Sequence, residues 1–80
     1  MLVKDAIVLR FEELCRERKI TYNELATRAG VTPSTVYSMM DRHRRDLSVI
    51  TVKKLCDGLD ISLGAFFSHP LFDALDQEIR

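Results

Sequence analysis

Long apolar runs are missing from this chain of 80 residues, and no basic segment followed by an apolar stretch opens it. A spanning helix needs about 18 such residues, so neither a membrane span nor a secretory leader is expected. Cysteine is scarce: Cys15 and Cys56 are too few for a disulfide framework, and neither C-x-x-C nor a paired His/Cys spacing is present to hold zinc. Both fall on apolar helical stripes, where a free thiol behaves as a small hydrophobe, and a reduced, cytoplasmic protein is expected. Three glycines and two prolines leave little room for linkers or disorder. Strand-like alternation, internal repeats and low-complexity tracts are absent as well. The two histidines, His43 and His69, have no nucleophile near them in sequence, and there is no Gly-rich phosphate loop or H-E-x-x-H. Enzymatic activity, a cofactor, a metal and a small-molecule ligand are therefore not expected. His69 precedes Pro70 and is placed in a solvated turn.

What is present suits one compact domain. A 46% apolar share beside 30% charged residues is ordinary for a globular chain. At this length about 60–65% of the unfolded surface is buried, enough for a small core. The net charge is zero but unevenly spread. Residues 1–31 carry +1; residues 32–54, with Arg42, Arg44, Arg45, Lys53 and Lys54 against Asp41 and Asp46, carry +3; residues 55–80 carry −4. A local basic patch steers a polyanion even when the total is neutral.

Apolar residues recur at helical spacing along the whole chain. Val3, Ile7, Phe11, Leu14 and Cys15 define a first helix from Val3 to about Arg18, with Arg18 and Lys19 at its negative end. A second, about 22–29, buries Leu25, Ala26 and Ala29. A third, about 33–40, turns Val36, Met39 and Met40 inward. After a polar, basic loop from Asp41 to Leu47, a fourth helix starting near Ser48 or Ile50 carries Val52, Leu55, Cys56 and Leu59. Gly58 and Asp60 mark its exit. Ser62 caps a short fifth helix with Leu63, Ala65, Phe66 and Phe67. Beyond Pro70, a last helix from about Leu71 sets Leu71, Phe72, Leu75 and Ile79 together. The expected fold is all-α: a compact five-helix domain over residues 1–67, and a short helical extension over 68–80 that packs on the domain or forms a dimer contact.

The stretch TYNELATRAGVTPSTVYSMM, residues 21–40, is the most informative. Thr21 can N-cap the second helix, with Glu24 at capping-box spacing. Gly30 supplies the positive φ that closes that helix. Thr32 caps the third helix, and Pro33 falls in its first turn, where a missing N–H costs nothing. Two capped helices joined at one glycine are the helix-turn-helix layout, whose second helix enters the major groove of DNA.

From Leu9 to Phe67 the chain resembles the lambda-repressor/Cro-like helix-turn-helix regulators, the XRE family. LATRAGVTPSTVYSMM and TVKKLCDGLDISLGAFF carry the likeness, through Leu25-Ala26, Gly30, Thr32 to Val36, Leu55, Leu59, Ile61 and Phe66. The resemblance implies a small transcriptional repressor that binds double-stranded DNA without a cofactor. It places Pro33, Ser34, Tyr37 and Ser38 on base edges. It places Thr21, Tyr22, Thr32, Thr35, Arg42, His43, Arg44 and Arg45 on phosphate or backbone. The physical reasons are independent: hydroxyls donate to or accept from any base, the Thr35 methyl can meet thymine, and arginines hold phosphates.

Three positions depart from the family pattern. Tyr22 stands in place of a glutamine, Arg42 in place of the glycine that closes the third helix, and Leu47 in place of a proline. A left-handed Arg42 would cost about 1 kcal/mol, so a different helix end or a reshaped loop is expected. Phe67, Leu71, Phe72, Leu75 and Ile79 are the candidates for a homodimer contact. The alternative is a protein-interaction module, such as an antitoxin or anti-repressor, on the same fold. The two readings part at the Arg42–Arg45 loop, which either flanks the third helix or pairs with the acidic tail.

Overall fold

The computed structural model describes residues 1–44 and 46–79. Every regular element among them is helical: α1 (Val3–Arg18), α2 (Tyr22–Ala29), α3 (Pro33–Met40), α4 (Val49–Gly58), α5 (Leu63–Phe67) and one 3-10 turn, Pro70–Phe72. The all-α, five-helix expectation is met.

Local chemistry explains most boundaries. The Thr21 side chain accepts the Glu24 amide at 3.1 Å, Thr32 that of Thr35 at 3.3 Å, and Ser62 that of Ala65 at 3.0 Å. Ser48 accepts the amide of Ile50 at 3.1 Å. Gly30 closes α2 in the left-handed region at φ 71°. Only half of the expected capping box forms at α2, because the Glu24 carboxylate turns to Arg28, 2.8 Å away and one turn along. α1 closes without glycine: Lys19 adopts φ 55°, and the Ile20 amide donates back to the Cys15 carbonyl at 3.0 Å.

Phe11, Leu25, Val36, Val52, Leu55, Leu59 and Phe66 form the fully buried core, with Phe11 and Phe66 ring centroids 4.4 Å apart. Gly58 is a contact point as much as an exit signal. A Cβ there would stand 3.0 Å from the Ala29 nitrogen and 3.1 Å from the Arg28 carbonyl carbon, so α4 and the end of α2 meet backbone to backbone. The left-handed exit falls to Asp60, at φ 60°. Cys15 and Cys56 are free and buried, and burial pushes both thiols up, Cys56 to about 11. Both stay protonated at neutral pH.

Three cations of α1 serve the C-terminal ends of three other helices. Lys4, only 3% exposed, donates to the carbonyls of Asp41 (3.3 Å) and Arg44 (2.5 Å), just past α3. Arg10 donates to the carbonyls of Phe66 (2.9 Å) and Ala65 (3.2 Å) in the last turn of α5. Arg18 donates to the Leu59 carbonyl at the end of α4. Helix ends leave carbonyls unpaired and carry partial negative charge, so each donor meets both needs.

The C-terminal segment differs from the expected helix through Ile79. Helical geometry lasts for the 3-10 turn Pro70–Phe72 only. Phe72 then packs against Phe66 and Phe67, at centroid distances of 5.9 and 4.9 Å. The tail crosses the start of α1: the Asp76 amide donates to the Met1 carbonyl (3.0 Å), the Asp76 carboxylate meets the Met1 amine (2.8 Å), and Glu78 accepts the Val3 amide (3.0 Å). The reason is electrostatic. Asp76 and Glu78 would load the negative end of a short helix, whereas at the α1 N-terminus they meet its positive end. His69 also departs from the solvated turn: Nδ1 accepts the Leu71 amide at 3.0 Å, and Nε2 lies 3.2 Å from Glu13.

Two outcomes follow for stability. Gly58→Ala forces α4 away from α2 and should cost about 1–3 kcal/mol, read as a lower denaturant midpoint at unchanged slope. Lys4→Met keeps the stem but removes the donor, and should cost about 1–3 kcal/mol, with faster hydrogen exchange at the His43 and Arg44 amides.

Candidate nucleic-acid interface

The inward turn of Val36, Met39 and Met40 decides what α3 offers to solvent. Pro33, Ser34, Thr35 and Tyr37 are exposed and Ser38 is half-exposed, so the expected base-reading residues share the outer side of α3. At its N-terminal end the Thr32 hydroxyl, besides capping, lies 3.0 Å from Ser34 Oγ and 2.9 Å from Thr35 Oγ1. Three hydroxyls thus form one patch at the positive end of a helix, able to donate to phosphate or to either kind of base edge.

Tyr37 is 53% exposed, and its ring meets that of Tyr22 edge-on, with centroids 5.6 Å apart and planes at 75°. Tyr22, expected at the DNA backbone, is half-buried and packs against the core; with Cys15 and Ile20 it lines a shallow depression beside α1. Burial, then the nearby Glu12 carboxylate, pushes its phenol up to about 12, so the hydroxyl stays neutral. Thr21 is exposed, its side-chain oxygen occupied by the α2 cap.

The end of α3 resolves the missing glycine. Asp41 closes the helix at φ −68°, ψ 120°, and the positive-φ residues among those described are Lys19, Gly30 and Asp60. Arg42 therefore carries no left-handed strain. The loop is shaped by Lys4 from beneath and by Asp41 from within: Asp41 Oδ1 accepts the His43 amide at 2.9 Å, and its carbonyl accepts the Arg44 amide at 3.2 Å. Leu47, in place of the family pattern's proline, packs against the core.

The loop's basic residues separate. Arg44 lines a groove with Thr35 and Ser38 of α3 and with Asp46, Leu47, Ser48 and Thr51 beyond, and lies 4.0 Å from Asp41. His43 is exposed at the tip. Arg42 lines a different pocket, with Met1, Asp5, Val8 and Leu9 on the α1 side. Arg45 lies outside the described residues. The structure thus joins Arg44 to Thr35 and Ser38 of α3 and sets Arg42 on the α1 side. Asp76 and Glu78 of the tail are engaged with Met1 and Val3.

Lys4 was not singled out in the sequence, although the signal was there. It shares the helical spacing of Ile7, Val8, Phe11 and Cys15, so it had to point inward. Val49 and Ile50 are exposed in the first turn of α4 beside Ser48. They fall off the stripe formed by Val52, Leu55 and Leu59.

Among the described residues no cluster of three or more metal-ligating side chains occurs, and no helix is long and apolar enough to cross a membrane.

The chain is similar in structure to the prophage Lp1 protein 11, at TM-score 0.78 and 29% identity, covering 90% of this chain and 95% of that one. It has the same fold as the restriction-modification controller protein C.Esp1396I, at TM-score 0.73 and 18% identity, covering 84% and 86%. No curated protein sequence matches it. Residues 10–70 match the Cro/C1-type helix-turn-helix DNA-binding domain. With three quarters of its length inside that match, this chain belongs to the Cro/C1-type helix-turn-helix family of DNA-binding domains.

Proposed function

We propose that this protein is a sequence-specific transcriptional regulator that represses by occupying promoter DNA, with α3 in the major groove. The observation that carries this reading is the outer side of α3, where Ser34 and Tyr37 are exposed and Ser38 is half-exposed, with Arg44 on the groove that Thr35 and Ser38 line. Pro33, Ser34, Tyr37 and Ser38 meet base edges. Thr21, Thr32, Thr35, His43 and Arg44 hold the backbone, with Arg42 as an outlying contributor, while Tyr22 is half-buried against the core and makes no backbone contact. The similarity to a restriction-modification controller protein, a regulator by its name, supports a role in gene control.

One such domain spans a half-site of a few base pairs. We infer that two copies bind a pseudo-palindrome with half-sites about one helical turn apart. Phe67, with Leu71, Leu75 and Ile79, supplies the apolar surface for the pairing. Ile79 is 87% exposed, whereas Phe72 is largely taken by its own domain.

The test is anisotropy of labelled duplexes, comparing the gene's own upstream region with a random pool at two salt concentrations. Salt-sensitive binding with preference for the upstream region is expected. Absence of binding at low salt would transfer the role to a protein partner. Within the binding reading, Arg44→Ala should weaken all duplexes alike and reduce the slope of log K against log salt by about 1. An unchanged slope would remove Arg44 from the phosphate contacts.

A further inference from the structure

The Tyr22–Tyr37 contact links a residue that packs on the core to one that faces outward. Tyr22 opens α2, is half-buried, and packs against the core, with Cys15 and Ile20 lining the depression beside it. Tyr37 lies in the second turn of α3, more than half exposed. A tyrosine on a helix chooses between two staggered χ1 wells, which send its ring in different directions along the surface. An edge-to-face partner at 5.6 Å favours the well that keeps the rings together.

We propose that Tyr22 is a positioning residue for sequence discrimination: its anchored ring fixes the direction in which Tyr37 presents its hydroxyl to the bases. This rests on the reading of Tyr37 as a base-reading residue. Tyr22 acts through its ring and not its hydroxyl, so phenylalanine suffices at this position and a branched aliphatic residue does not. Arg44, on the groove at the end of α3, is outside this pair and governs the salt slope instead.

The experiment measures binding of the full chain to its preferred duplex and to single-base-pair variants of it, for the wild type, Tyr37→Ala, Tyr22→Phe, Tyr22→Leu and the double variant Tyr22→Leu with Tyr37→Ala. Thermal unfolding of each variant verifies that it is folded at the assay temperature. The expected result is a preference within about 2-fold of wild type for Tyr22→Phe, and lowered about 2- to 10-fold for Tyr22→Leu, the range an aromatic pair supplies. The salt slope should be unchanged in both. The double variant should show the preference of Tyr37→Ala alone, since Tyr22 has then nothing to position.

Tyr22→Leu retaining the full preference while Tyr37→Ala loses it would overturn the proposal and leave base reading by Tyr37 standing. Additive losses in the double variant would overturn it too, because Tyr22 would then act on the DNA independently. If Tyr37→Ala keeps the preference, base reading by Tyr37 fails and the positioning role fails with it. If Tyr22→Leu unfolds, Tyr22→Met takes its place, with the same outcomes on either side.

Discussion

Carbonyl groups at helix ends must find donors, and in this protein α1 supplies them for α3, α4 and α5. Lys4, Arg10 and Arg18 each reach the terminal turn of a different helix, so the longest element works as a post to which the others are tied. The ties are directional and charge-assisted, and they fix where each helix stops. Apolar packing around Phe11 and Phe66 holds the helices together, but does not by itself set their ends. The α3 end is the instructive one. With no glycine to turn the chain back, an ammonium drawn from beneath takes the carbonyls of Asp41 and Arg44, and the chain leaves the helix through Asp41 and Arg42 without a positive φ.

The helix-turn-helix pair is seated with equal economy. Gly58 lets α4 approach the end of α2 at backbone distance, while Leu25 and Ala26 of α2 are fully buried in the core. This leaves α3 free on its outer side, with Thr32, Ser34 and Thr35 pooled at its positive end. The acidic tail meanwhile lies at the start of α1. Its carboxylates thus complement a helix N-terminus instead of adding negative charge to the Arg44 groove.

Much of this was legible in the sequence, because most helix ends are punctuated locally. Thr21, Gly30, Thr32, Ser48 and Ser62 act within a few residues, and the caps read from the sequence are those found. The outer side of α3 followed from the inward set Val36, Met39 and Met40. What escaped depended on distant parts of the chain. The Lys4 donor lies 37 residues from Asp41, and the Asp76 amide lies 75 from Met1. Periodicity alone predicted a helix through Ile79, since it weighs apolar residues and ignores acidic side chains better placed at another helix's start. Gly58 read as a stop signal because its role depends on Ala29, a residue far away in sequence. The Tyr22–Tyr37 contact, fifteen positions apart on two helices, was invisible for the same reason.

That contact also determines how the molecule looks to light. The chain has no tryptophan, and its two tyrosines are the ones that touch. Its near-ultraviolet absorption and emission therefore arise almost wholly at the junction of α2 and α3, while the phenylalanine core contributes little. A spectrum of this protein does not average over the fold. It views the molecule through one window, cut where α2 meets the exposed side of α3.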